Sequence, residues 1–254
     1  GARSMVTMKQ VGLNVASDPL MSLEYVGIKG GMVILVADDP GPISSQTEQD
    51  TRHFSRFSKL PCFDPSSAQE AYEMIQEAFE YSEKYGTPVF LRPTTRVCHG
   101  YASIMVKDET EYTHHQPEGF IKDSKRWVIF PRLSFMNHKK IEARNQELSD
   151  IFSSYEKNTI HPSCDAFKDS KKGIATGGIS YTYTMETLKK TGMVKTLKIA
   201  TPHPFPEKLA VDFLSGLDEV LCLEELDPVI ERELIYICGK YLMEQGRLRG
   251  EHDT

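Results

Sequence analysis

The sequence has few cysteines and no Cys-x-x-Cys pair. Its five cysteines are scattered and odd in number: Cys62, Cys98, Cys164, Cys222 and Cys238. Because structural zinc sites and iron–sulfur clusters are usually held by closely spaced cysteines, neither is predicted within this chain. Reduced thiols in a cytoplasmic protein are the simplest interpretation.

Long apolar runs and an excess of positive charge are also missing. No run approaches the roughly 20 apolar residues that a membrane span requires. The first residues, Gly1 to Ser4, lack the charged-then-apolar layout of a signal peptide. The net charge of −6 argues against nucleic acid or an anionic membrane as the main partner, because both require a basic face.

What the sequence does contain is a soluble-protein composition and alternating strand and helix patterns. Of 254 residues, 39% are hydrophobic and 26% are charged, which suits one large domain or two small ones. In the first part, apolar runs predict strands at 4–8, 32–37 and 88–91. Helices are predicted to begin at Ser17, near Glu48 and at Ser66, and Gly86 is predicted to end the last of these. This order indicates an open parallel α/β sheet.

The remaining sequence divides into a polar stretch and a second alternating region. Residues 107–168 are rich in Lys, Asp, Glu and His, and we predict a surface connection, extended over 118–132 and helical over 137–155. Further strands are predicted at 173–176, 194–200 and 220–223. Helices are predicted to begin at Tyr181, Pro206 and Pro228, and Gly192 is predicted to end the first of these. Residues 169–254 therefore form a second, smaller α/β unit.

Two polar segments directly follow predicted strands and are candidate ligand sites, because ligands bind at the carboxyl ends of parallel strands. The first runs from Asp38 to Asp50. The second, residues 7–14, carries Lys9, Gln10 and Asn14. The same residue types also form ordinary helix-capping turns, so the sequence pattern alone leaves both interpretations open.

Other segments offer weaker signals. The glycine-rich turn at 176–180 lacks the dinucleotide fingerprint and the Walker lysine, so a tight structural turn is favoured. Residues 201–206 and 224–228 are interpreted as structural or interface features. His114 and His115 have no third ligand at a suitable spacing, so no metal ligand is assigned. No spacing identifies a nucleophile–base pair, and catalytic residues stay unassigned.

Beyond these patterns, several runs resemble the large (alpha) subunit of thiamine-diphosphate-dependent 2-oxoacid:ferredoxin oxidoreductases, in particular those acting on indolepyruvate. Residues 6–20, 30–41, 44–46, 48–50 and 87–89, with Arg92 and 94–96, are similar to the pyrimidine-binding domain of that family. Residues 201–208 and 224–228 are similar to its transketolase C-terminal-like domain. The resemblance implies a partial pyrimidine-binding domain at 1–106, the connection at 107–168 and the transketolase-like domain at 169–254.

The resemblance also implies an activity. Family members oxidatively decarboxylate aryl pyruvates to acyl-CoA with thiamine diphosphate and Mg²⁺, and electrons pass through [4Fe-4S] clusters to ferredoxin. The expected partners are a beta subunit, ferredoxin, a 2-oxoacid and coenzyme A, in a dimer of heterodimers. A relative acting on another 2-oxoacid and a non-catalytic assembly or binding module are the alternatives.

The site residues implied by the resemblance fall into two groups. Met8, Lys9, Gln10 and Asn14 are expected to face the aminopyrimidine pocket or its rim. The expected substrate-side loop consists of Asp39, Ser44, Ser45, Gln46, Glu48 and Gln49. No proton-transfer role is assigned to any of them.

Other parts of the family pattern do not occur in this sequence. The activating glutamate is expected upstream of Gly1 and the cysteine clusters beyond Thr254, while the Gly-Asp-Gly…Asn diphosphate motif is absent. We therefore expect the chain alone to bind the cofactor weakly or not at all. We also expect it to self-associate through residues 1–106, where an unpaired sheet edge would be exposed.

Overall fold

The first sheet of the computed structural model, which describes residues 1–41, 45–112 and 116–244, is parallel throughout. Its four strands lie in the order β1-β2-β4-β3. The strands are β1 (Ser4–Lys9), β2 (Met32–Ala37), β3 (Cys62–Phe63) and β4 (Val89–Leu91). The connecting helices are α1 (Gln10–Val26), α2 (Thr51–Ser58) and α3 (Ala68–Tyr85), followed by the single turn α4 (Thr95–Cys98). The predicted open parallel α/β sheet is confirmed.

The second sheet also has four strands, but it is mixed. Its order is β5-β7-β6-β8, with β5 antiparallel to β7 and the other pairs parallel. The strands are β5 (Thr159–His161), β6 (Lys172–Gly177), β7 (Lys195–Ile199) and β8 (Glu219–Leu223). Its helices are α7 (Gly178–Thr191), α8 (Glu207–Leu214) and α9 (Val229–Glu244). The second predicted α/β unit is therefore present.

Between the sheets, the chain is more structured than a surface connection. It forms α5 (Ser124–Trp127), the long α6 (Pro131–Phe152) and short 3₁₀ turns at Glu109–Glu111 and Asp165–Phe167. Leu148 and Phe152 of α6 lie in the core of the first sheet, and β5 extends the second sheet. The prediction that 118–132 is extended is wrong at both α5 and the start of α6, and the domain boundaries themselves stay predictions.

Helix α1 begins at Gln10, so the predicted start at Ser17 is wrong. The Ser-Asp-Pro signal lies inside the helix, where Ser17 donates its hydroxyl to the Asn14 carbonyl at 2.8 Å. The buried positions Gln10, Leu13, Leu20 and Glu24 share one face of the helix, and burial of that face outweighs the local start signal. In consequence, Gln10 and Asn14 occupy the first turns of a helix and not a loop.

Residues next to α3 in the sequence determine where this helix begins and ends. Ser67, one residue after the predicted cap, accepts a hydrogen bond from the Glu70 amide at 3.2 Å. Ser66 instead donates its hydroxyl to the Glu70 carboxylate at 2.6 Å. Gly86 ends the helix at φ 59°, a left-handed conformation that glycine adopts without a Cβ clash. The predicted stop at Gly86 is confirmed.

Apolar side chains cover both faces of the first sheet. On one face, Val33, Phe63 and Met74 pack with Phe152 of α6. On the other face, Ile34 and Phe90 pack with Leu13 of α1. The outer strand β1 is less protected, with Met5 41% and Val6 38% exposed. An exposed edge strand was expected, and self-association through it stays a prediction.

Within the described part of the chain, no helix has the length and apolarity to cross a membrane.

Candidate functional site

A buried cluster of charged side chains lies at the carboxyl ends of the strands of the first sheet. Arg92 follows β4 and is only 2% exposed. Its Nε lies 2.6 Å from Oδ2 of Asp38, which follows β2, and its Nη1 lies 3.2 Å from Oδ2 of Asp64, which follows β3. Its Nη2 lies 3.6 Å from Oδ1 of Asp50. Three carboxylates therefore surround one buried guanidinium.

A second buried arginine connects this cluster to the second sheet. Arg52 of α2 is 3% exposed, and its Nη2 donates to Asp50 Oδ2 at 2.6 Å. Its Nη1 donates to Glu224 Oε2 at 2.7 Å, beyond the end of β8. The network thus runs from Asp38 through Arg92, Asp50 and Arg52 to Glu224.

The two arginines set different protonation behaviour for two of the carboxylates. Burial alone raises the pKa of Asp50, but the charge of Arg92 and the hydrogen bonds and charge of Arg52 outweigh it and lower the pKa to about 2. For Asp64, burial is the stronger effect. Although Arg92 and Arg52 oppose it, the pKa of Asp64 is raised to about 6, with Asp50 and Asp38 adding repulsion. Asp50 and Asp64 therefore have pKa values on opposite sides of the ordinary 3.8, although both lie beside Arg92.

The carboxyl ends of the two sheets face each other across Asp64. Its backbone amide donates to the Ala200 carbonyl at 2.8 Å, and the Cys62 amide donates to the His203 carbonyl at 2.7 Å. Gly178, at the start of α7, adopts φ +51°, and a Cβ there would lie 3.2 Å from the Asp64 carboxylate oxygens. The predicted tight turn at 176–180 therefore abuts the charged cluster of the first sheet.

Beside the cluster lies a groove of ≈ 370 Å³. Its lining includes Gln10 and Asn14 of α1, Gln49, and the rings of Phe54 and Phe57 of α2. Gln10 is 1% exposed and donates its Nε2 to the Thr47 carbonyl at 3.0 Å, while its Oε1 has no hydrogen-bond partner. A buried acceptor without a partner is uncommon in folded proteins, and this one belongs to a residue that lines the groove.

The groove brings together some of the predicted site residues and not others. Gln10, Asn14 and Gln49 line it. Met8 packs against the core of the first sheet, and Lys9 is exposed at the end of β1. Their roles as binding residues stay predictions.

The predicted substrate-side loop is organised around Asp39. Asp39 is buried, and it accepts hydrogen bonds from the Ser45 amide at 2.8 Å and from the Thr95 hydroxyl at 2.9 Å. Gln46 and Glu48 are exposed. Ser44 lies outside the described residues, as do His114 and His115. Asp39 thus fixes the fold of the loop. Gln49 lines the groove, whereas the Ser45 Oγ is buried without a hydrogen-bond partner.

Neither Asp64 nor Arg52 is predicted from the sequence. Asp64 follows a strand of two residues, which is too short to show a strand pattern. Arg52 lies in a short polar helix, where a charged residue is ordinarily exposed. The sequence signal for Asp64 is its position. Asp64 and Arg92 each come directly after a strand, and the two strands end at the same edge of the sheet.

Asp50, His53 and Asp227 place their ligand atoms within 4.8 Å of one another. Asp50 is already paired with Arg52 and Arg92, and His53 Nε2 lies 2.8 Å from Asp227 Oδ2. Because the two guanidinium groups would repel a cation, we assign no metal to this group.

Comparison with protein-family models finds no match. Among curated proteins, the chain is 40% identical over 255 residues to the indolepyruvate oxidoreductase subunit IorA of Methanothermobacter thermautotrophicus, covering 98% of this chain and 40% of that protein. It is 41% identical over 239 residues to the IorA subunit of Pyrococcus abyssi, covering 92% and 36%. The chain therefore spans about two fifths of the length of these relatives.

Two solved structures share the fold. A 2-oxoglutarate:ferredoxin oxidoreductase from Magnetococcus marinus matches with a TM-score of 0.63 at 15% identity, covering 96% of this chain and 48% of that chain. A split-gene transketolase matches with a TM-score of 0.52 at 15% identity, covering 95% and 63%. The expected fold class is confirmed, because both structures share the fold of this chain.

Proposed function

We propose that this chain, a homologue of the IorA subunits of indolepyruvate oxidoreductases, is part of a 2-oxoacid:ferredoxin oxidoreductase that decarboxylates aryl pyruvates such as indolepyruvate. The identity to the Methanothermobacter subunit extends over 98% of the chain, so it includes the segments that form the carboxyl edges of both sheets. This coverage carries the proposal, because activity depends on the residues at such sites and not on the fold alone.

The residues of the groove fit one end of thiamine diphosphate and not the other. The unpartnered Gln10 Oε1 can accept a hydrogen bond from an aminopyrimidine, and Phe54 and Phe57 offer apolar contact to a planar ring. The diphosphate would need Mg²⁺ ligands and a glycine-rich turn, and the sequence contains no Gly-Asp-Gly. We therefore propose that this chain supplies only the pyrimidine side of a shared site.

When bound, thiamine diphosphate supplies a carbon nucleophile and an electron sink for decarboxylation. The residues of this chain would orient the ligands. Gln10 and Asn14 would hold the ring edge from α1. Asp39 would keep the loop that carries Ser45 in place, and Gln49 would face the bound 2-oxoacid. Asp50, which lines the groove and pairs with Arg52 and Arg92, would connect the bound ligand to the buried charged cluster.

The remaining parts of the proposal concern the whole enzyme. We propose that acyl transfer to coenzyme A, the [4Fe-4S] clusters and ferredoxin reduction involve regions and subunits other than the described residues. A beta subunit and a dimer of heterodimers complete the assembly, in the cytoplasm. Residues 1–106 and 169–254 would act as its pyrimidine-binding and transketolase C-terminal-like domains.

A chimera tests the activity directly. This chain replaces the homologous segment of the Methanothermobacter IorA subunit, which is co-expressed with its companion subunit, and indolepyruvate-dependent reduction of ferredoxin is measured. We expect activity that falls by roughly 10²-fold in the Gln10→Ala chimera, because a positioned ligand contact is lost. Pyruvate and 2-oxoglutarate serve as competing substrates that report the 2-oxoacid class.

The outcome also separates the enzyme from a non-catalytic module. An assembled, folded chimera without activity on any 2-oxoacid would favour the assembly-module alternative. Calorimetric titration of thiamine diphosphate with Mg²⁺ into the 254-residue chain itself is expected to give no detectable heat. Micromolar binding would contradict a shared site.

A further inference from the structure

Helix α2 presents its basic side chains to the second sheet. Each lies opposite an acidic side chain of the segment from the end of β8 into α9, and the pairs are Arg52 with Glu224, His53 with Asp227, and Arg56 with Glu233. The second and third pairs are partly exposed, with Arg56 58% exposed, and exposed pairs contribute little. The first pair is buried on both sides.

Arg52 makes contacts that no other basic residue type would reproduce. Besides Asp50 and Glu224, its Nη2 donates to the carbonyls of Glu225 at 2.7 Å and Asp227 at 2.9 Å. The planar guanidinium reaches all of these acceptors at once, whereas a lysine ammonium is a single point donor. Arg52 therefore holds the loop after β8 as well as its own helix.

Glu224 connects this contact to the start of α9. Its carboxylate accepts hydrogen bonds from the backbone amides of Val229 at 3.2 Å, Ile230 at 3.0 Å and Glu231 at 3.1 Å. It thus caps the N-terminus of α9, where the Val229 amide also donates to the Asp227 carbonyl at 2.8 Å. Movement of α9 would therefore displace Glu224 and, through it, Arg52.

The other side of α2 forms a wall of the groove. Thr51, Phe54 and Phe57 line it together with Asp50, which also accepts from Arg52. Thr51 is itself anchored, because its amide and hydroxyl both donate to Asp38. The same short helix therefore contacts the second sheet through one face and the groove through another.

We propose that Arg52 is a positioning residue that fixes the groove wall α2 to the second sheet through Glu224, so that the width of the groove follows the arrangement of the two sheets. This rests on the proposed function only for the identity of the ligand in the groove. The linkage itself follows from the buried contacts of Arg52, and it is measurable without any ligand.

Hydrogen exchange on the 254-residue chain tests the linkage. In Arg52→Lys we expect amide exchange to accelerate roughly tenfold or more both in residues 45–58 and in residues 224–231, because a local opening now separates the two. Exchange in α3 and β4 should stay unchanged. Arg56→Lys is the matched control, since it alters an exposed pair of the same helix and should leave both segments protected.

Glu224→Gln supplies a second, independent perturbation. It should reproduce the two-segment pattern, and the double variant with Arg52→Lys should accelerate exchange by less than the sum of the single variants, because both changes break the shared Arg52–Glu224 contact. Acceleration confined to one of the segments, or additive effects in the double variant, would overturn the proposal. A variant with exchange raised over the whole chain would indicate global destabilisation and contradict a local linkage.

Kinetics in the active chimera extend the test to function. Arg52→Lys should raise KM for indolepyruvate roughly tenfold with kcat within about twofold, because the groove binds less well while the chemistry is retained. An unchanged KM with the exchange pattern present would refute the effect on the groove. An inactive parent chimera would instead contradict the proposed function and leave the exchange result standing.

Discussion

The buried carboxyl group of Asp64 should make the chain less stable as the pH rises from about 4 to about 7. Its pKa is about 6 in the folded chain, against the ordinary 3.8, because burial disfavours the charged form more than Arg92 and Arg52 favour it. Between pH 3.8 and about pH 6, Asp64 of the unfolded chain has lost its proton, whereas Asp64 of the folded chain retains it. Ionisation in the folded state therefore costs free energy that unfolding recovers.

The magnitude follows from the difference between the two pKa values. At about 1.4 kcal/mol per pKa unit, Asp64 lowers the free energy of unfolding by about 3 kcal/mol once the pH exceeds 6. Below about pH 4 the contribution vanishes. Asp64→Asn keeps the shape of the side chain and cannot ionise. The free energy of unfolding of this variant, relative to the wild type, should rise by about 3 kcal/mol from pH 4 to pH 7.

Urea denaturation followed by circular dichroism at pH 4, 5, 6 and 7 measures this difference. Asp169→Asn is the control, because it makes the same chemical change at an exposed position outside the cluster. At about pH 4 the Asp64 carboxyl group and the amide that replaces it in Asp64→Asn are both neutral in the folded chain, so any difference between their hydrogen bonds adds a constant offset, and only the slope with pH is diagnostic. A difference between Asp64→Asn and wild type that stays within about 0.5 kcal/mol across this range would refute the argument.

Further predictions address other parts of the structure. Burial, with the charges of Arg56, Arg144 and Lys59, lowers the pKa of His203 to about 3. The stability that neutral His203 contributes is therefore complete above pH 6.5 and is lost as the pH falls, because the unfolded chain takes up a proton that the folded chain does not. His203→Phe should reduce the acid sensitivity of the thermal midpoint below pH 6.5. Phe152→Ala should cost about 3–5 kcal/mol in urea denaturation, because Phe152 is fully buried against Phe63 and Tyr155; a loss under 1 kcal/mol would contradict its place in the core. Gly178→Ala should cost about 1–2 kcal/mol, since its φ is +51° and the new Cβ would crowd Asp64, whereas Gly239→Ala, where nothing lies within 4 Å, should be neutral or stabilising.

Several elements could be predicted from the sequence because their signals are local. The runs that became β1, β2 and β4 are apolar, and Gly86 and Gly192 end helices as expected. The start of α1 could not be predicted in this way. Burial of Gln10 and Leu13 against the first sheet extends the helix past the Ser-Asp-Pro signal, and no local pattern reports that contact.

The candidate site likewise contains residues that the sequence predicts and residues that it does not predict. The position of Gln10 and Asn14 after β1, and of Asp39 after β2, follows from the rule that ligands bind at the carboxyl ends of parallel strands. The role of Arg52 does not follow from that rule. Its contacts lie more than 170 residues away in the chain, at Glu224, and a short polar helix ordinarily exposes its arginines.

The sequence by itself determined the two α/β units, the strands β1, β2, β4, β6, β7 and β8 and the polar segments at the strand ends, because apolar periodicity and turn residues act over a few neighbours. Only the tertiary structure decided that Asp38, Asp50 and Asp64 share the buried Arg92, that Asp64 titrates near neutral pH, and that Arg52 joins α2 to the second sheet. These features depend on desolvation and on charges brought together from distant parts of the chain, and neither is encoded in any local pattern.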